Sequence, residues 1–131
     1  MAVKNWGATV GGGLWNTSGN WVGNVVPAAG DDVFFTTNIT GTSPVFLDTT
    51  ATQPGTITLA DSVATFFPWV ITGSAAAANI TTYGTGTNIV VKNAPSYIWN
   101  NISGTAPLIV SSSGADAFLA LSGTANTFTG G

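Results

Sequence analysis

Cysteine and histidine are absent from this chain of 131 residues, and so are arginine and glutamate. Without cysteine there is no disulfide framework and no thiolate metal site. Without histidine the commonest general base is missing as well. Charge is scarce, at 5% of residues against about 25% in ordinary soluble domains. It amounts to Lys4 and Lys92 against Asp31, Asp32, Asp48, Asp61 and Asp116, for a formal net charge of −3. Two cations cannot displace the counterions of a nucleic acid, so no nucleic-acid partner is expected. The longest apolar run, Ala64 to Ile71, is far too short for a membrane helix, and no membrane insertion is expected. The opening MAVKNWGATVGGG has no apolar stretch of secretory type, which points to a cytosolic origin or to a leader already removed.

These gaps also bear on chemistry. Five carboxylates, no G-x-S-x-G elbow and no acids bracketing a cleft predict a non-enzymatic protein without catalytic residues or cofactors. A surface so poor in charge associates readily. A homo-oligomer is therefore expected, with a trimer as the first arrangement to consider, or a subunit bound to a larger lattice.

What is present is strand-forming sequence. No window shows an apolar stripe at helical spacing, and the alanine run in GSAAAANI is too short to stand alone as a helix. Strands are predicted at Val33 to Thr37, Val45 to Asp48, Thr56 to Leu59, Thr65 to Thr72 and Ile80 to Tyr83. Others follow at Asn88 to Lys92, Tyr97 to Ile102, Leu108 to Ser111, Phe118 to Leu121 and Thr124 to Phe128. The class is all-β, in one domain spanning 1–131. Small polar connections and a recurring grammar in NIVVKN, PLIVSSSG and AFLALSG favour a short capped parallel β-solenoid. A jelly-roll or other β-sandwich is the alternative. Residues 1–35, with Trp6, Trp15, Trp21 and abundant glycine, read as a cap, and 36–131 as the strand repeats.

Two stretches carry a resemblance. Trp15-x5-Trp21, Val26-Pro27 and Gly30-Asp31-Asp32-Val33-Phe34-Phe35 resemble the opening of proteins built from autotransporter-associated β-strand repeats. The closing LALSGTANTFTGG, Leu119 to Gly131, resembles their repeat unit. The resemblance implies a right-handed parallel β-helix on an extracellular or particle surface, with no catalytic residues to carry over. Family members usually have a signal peptide and many more repeats. Similar capped modules occur on phage heads and tails, a home that suits the leaderless opening better.

Several residues remain as candidates. Asp31 and Asp32 form the one adjacent acidic pair and are possible Ca²⁺ ligands. The preferred reading is an Asx-type turn at Gly30-Asp31 leading into a strand, with Asp32 facing solvent. Trp69, which follows Pro68, and Trp99 are candidate exposed aromatics for stacking on sugar rings, although tryptophan here more often fills a core. Thr124, Asn126 and Phe128 mark a terminal strand whose edge invites pairing by another chain. The expected function is that of a structural virion protein, a capsid decoration or tail-associated component acting by self-association with capsid or tail proteins. A fragment of a cell-surface or secreted adhesin-like passenger is the alternative, and a carbohydrate-binding module comes third.

Overall fold

The computed structural model describes residues 1–7, 13–48, 52–61, 67–73 and 79–130. They form a parallel β-solenoid of about four turns, with three sheets running along its length. The first sheet stacks β1 (Val3–Asn5), β3 (Asp32–Phe35), β5 (Thr56–Ala60), β8 (Thr87–Lys92) and β11 (Leu108–Ser113). The second stacks β2 (Gly13–Leu14), β4 (Ser43–Leu47), β6 (Trp69–Gly73), β9 (Pro95–Ile98) and β12 (Phe118–Leu121). The third is smaller: β7 (Ile80–Thr81), β10 (Ile102–Gly104) and β13 (Thr127–Phe128), extended by a parallel bridge between Thr52 and Ile80. Every ladder between these strands is parallel, so the solenoid stands and the sandwich alternative falls.

Parallel sheets in α/β proteins are covered on both faces and read as unbroken apolar runs. Here each sheet faces the core on one side, and most of the longer strands in the first coils alternate, although Thr58 in β5 and Val70 in β6 are buried as well. In β3, β4 and β8 every second residue is buried: Val33 and Phe35, then Ser43, Val45 and Leu47, then Thr87, Ile89 and Val91. Register turns that alternation into columns. Val33, Ile57 and Ile89 lie one above another in the first sheet, as do Phe35, Leu59 and Val91. Val45, Ile71 and Ile98 form the matching column of the second sheet, and Ile80 stacks on Ile102 in the third. These columns meet along the axis as one core.

Most strand bounds shift from the sequence reading by one or two residues, as where Ile80 to Tyr83 shortens to Ile80–Thr81, and larger departures occur in three places. The expected strand Tyr97 to Ile102 is divided into β9 and β10, because the chain rounds a corner at residues 99–101. The expected strand Thr124 to Phe128 shrinks to the two residues of β13, with a turn at 124–125. The cap segment also contributes two short strands, β1 and β2, that its glycine-rich sequence does not signal. Part of the expected strand Thr65 to Thr72 and most of the alanine run fall at 62–66 and 74–78, outside the described residues.

Candidate functional site

The two ends of the solenoid differ. At the N-terminal end, Trp6, Trp15 and Trp21 are buried and close over Phe35. Trp21 meets Trp6 edge-on at a centroid distance of 4.9 Å, and Trp15 at 5.1 Å. Its indole N–H donates to the Trp15 carbonyl at 2.7 Å, which satisfies the polar edge of a ring that is otherwise all hydrophobic surface. A short 3₁₀ turn, Ser18–Asn20, and an antiparallel bridge between Trp6 and Trp21 fold this segment across the core.

Among the described residues no such plug covers the last coil. Val110 continues the column of Val33, Ile57 and Ile89, yet it is 48% exposed. Leu121 continues that of Val45, Ile71 and Ile98 and is 36% exposed. Leu108, Leu119 and Phe128 pack against the core but stay partly open. The cause is positional: these side chains sit on core-facing columns with no described coil above them.

Phe128 lies in β13, which pairs on one side with β10 and, among the described residues, has no strand on its other edge. Asn126 works within the fold: its Oδ1 accepts from the Ile102 amide at 2.8 Å and its Nδ2 donates to the Gly123 carbonyl. Thr124 sits exposed in the preceding turn rather than in a strand.

Asp31 and Asp32 are separated by the pleat. Asp31 is buried, and both of its oxygens accept backbone N–H groups, from Ala2 at 2.8 Å and Ala28 at 3.0 Å. Burial alone pushes its carboxyl pKa up. The bonds from Ala28 and Ala2, helped by nearby Lys4, outweigh that and hold it below the ordinary 3.8. Asp31 thus latches β1 and the turn before β3 together. Asp32 lies half-buried on the opposite, outer side of β3. Among the described residues no group of three or more acidic side chains stands close enough to share a metal ion.

The two tryptophans expected at the surface part company. Trp69 is a core residue at 0% exposure, a correction to the sequence reading. It heads β6 in register with Ser43 and Ser96, whose small side chains leave room for an indole, and its N–H donates to the Ala60 carbonyl at 2.8 Å. Trp99, at the corner after β9, is 54% exposed, and its ring lies 6.5 Å from that of Tyr97. Tyr97 meets Phe118 edge-on at 5.8 Å on the outer face of the second sheet. These rings are tilted or perpendicular to one another, not a flat platform.

Comparison with protein families, curated proteins and solved structures gave no match.

Proposed function

We propose that this is a structural, non-enzymatic protein of a virion, a capsid decoration or tail-associated component that acts through the open end of its solenoid. The observation that carries the reading is the contrast between the tryptophan-sealed end and the last coil, where Val110 and Leu121 lie wet on core columns. Burying such a side chain is worth roughly 1.5–3 kcal/mol, which favours covering it with a second copy, a particle subunit or further coils of the same polypeptide. The scarcity of charge supports the same view, since little opposes contact between neighbours.

Sedimentation of the wild type and of a Val110→Asp, Leu121→Asp double variant tests this. The wild type is expected to associate, and the double variant to stay monomeric with an unchanged circular dichroism spectrum. Raising salt from about 0.05 to 0.5 M should change little, because exposed ion pairs contribute so weakly. A wild-type chain that remains monomeric and ignores particles would overturn the proposal. The resemblance of Trp15 to Phe35 and of Leu119 to Gly131 to autotransporter-associated repeats favours a second reading, a cell-surface passenger. Binding to bacterial envelopes in preference to virions is its test.

A further inference from the structure

A cleft of about 360 Å³ opens on the outer side of the first sheet, where that sheet borders the third. Asp32, Thr56 and Asn88 lie in register across three adjacent strands and line it. Neighbouring strands are about 4.8 Å apart, so the three side chains form a polar ladder spanning two such steps. All three are half-buried, and among the described residues none has a side-chain hydrogen bond. Being part-exposed, these groups are free to bond water or a ligand.

One wall is Tyr83, held by a tight local network. Its amide donates to Thr87 Oγ1 at 2.9 Å, Thr87 Oγ1 donates in turn to the Pro54 carbonyl at 2.9 Å, and the Gly86 amide donates to the Tyr83 carbonyl at 3.0 Å. The ring rests against Gly30, where a Cβ would come within 2.6 Å of Tyr83 Cε1. Gly30 also has φ +82°, so only glycine serves both the turn and the ring. Tyr83 is nevertheless 41% exposed.

An anchored aromatic ring beside three uncommitted polar groups suits a pyranose ring. Sugar C–H faces pack on the aromatic surface, and sugar hydroxyls donate to the carboxylate and exchange bonds with the amide and the threonine hydroxyl. Other ligand classes fit less well. An anion meets the Asp32 carboxylate, and neither lysine lines the cleft; Met1 at its rim is 97% exposed, so its α-ammonium is screened by solvent. A metal ion finds a single carboxylate there. A quaternary ammonium engages Tyr83 and Asp32 but leaves Thr56 and Asn88 unused.

We infer that this cleft binds a neutral sugar residue, with Tyr83 as the stacking surface and Asp32, Thr56 and Asn88 as the hydroxyl partners. Its polar partners lie on β3, β5 and β8, the last of these one strand step from the final coil, and neither Val110 nor Leu121 lines it, so variants of the two sites test it separately from the assembly reading. Saturation-transfer NMR titrations with methyl β-glucoside, methyl β-galactoside and N-acetylglucosamine test it, with tetramethylammonium as the rival probe. At least one sugar should bind saturably. Tyr83→Ala and Asp32→Ala should each weaken that binding about tenfold or more. Tyr83→Phe and Trp99→Ala should leave it intact. If Tyr83→Ala fails to fold by circular dichroism, Asn88→Ala decides in its place. The inference is overturned if none of the three sugars binds, if binding persists in Asp32→Ala and Asn88→Ala, or if tetramethylammonium binds more tightly than every sugar.

Discussion

Replacing Trp21 with alanine removes the centre of the aromatic plug, and the structure sets the size of the effect. The ring is 1% exposed and touches Trp6, Trp15 and Phe35 with centroids 4.9, 5.1 and 5.7 Å away. Truncating a buried tryptophan to alanine typically costs about 3–5 kcal/mol in lost burial and residual cavity. The Trp15 carbonyl also loses its 2.7 Å donor, which places the expected loss toward the upper part of that range, about 4–5 kcal/mol. In a chain of 131 residues this corresponds to a fall in Tm of roughly 15 °C. Trp21→Phe keeps part of the packing but not the N–H, and is expected to lose about 2 kcal/mol. Urea unfolding followed by circular dichroism measures both, with exposed Trp99→Ala as a control expected to stay within about 0.5 kcal/mol. Because solenoid coils contact only their neighbours, hydrogen exchange should show β1 and β3 losing protection while β8 keeps it. A Trp21→Ala loss below about 1 kcal/mol, or uniform loss of protection along the stack, would refute the view that this plug seals and stabilises one end.

Two further outcomes follow from the same geometry. Asp31 has its pKa lowered on folding, so its contribution is fully present above the ordinary carboxyl value of 3.8 and is lost as pH falls through the depressed folded-state value. Asp31→Asn should therefore be less stable than wild type at neutral pH, and the gap should close on acidification below about pH 4, as read from urea midpoints across pH. Gly104 has φ +120°, and a Cβ there would run into Thr82 Oγ1, a buried hydroxyl without a hydrogen-bond partner. Gly104→Ala is expected to destabilise by about 2–4 kcal/mol in the same assay, through backbone strain plus overpacking.

Much of this fold is readable from residue order, and the limits have physical causes. NIVVKN announces β8 because a sheet with one wet face must alternate, and Ile89 and Val91 do so on either side of Val90. The corner at Trp99-Asn100-Asn101 is harder to read, since Tyr97, Ile98 and Ile102 look continuous unless the asparagine pair is taken as a turn. Trp69 escapes a local reading altogether. Its burial depends on Ser43 and Ser96 lying beside it, and register between coils is not written in the sequence near Pro68. The latch at Asp31 is partly legible in Gly30-Asp31, but its reach back to Ala2 is not. The cleft is least legible of all, because Asp32, Thr56, Tyr83 and Asn88 converge only once two turns have been wound.

The turns are also unequal in length. The first sheet is regained after 29 residues from Val3 to Asp32, 24 from Asp32 to Thr56, 32 from Thr56 to Asn88 and 21 from Thr87 to Leu108. Each return nevertheless advances the chain by one strand spacing, about 4.8 Å. Height and girth are thus set independently: the first by the number of windings, the second by how far each winding strays at its corners. Residues added at the bend between β11 and β12 would broaden the outline at one level and leave the columns through Val33 and Val45 undisturbed. New surface can be acquired there one level at a time, without renegotiating the interior.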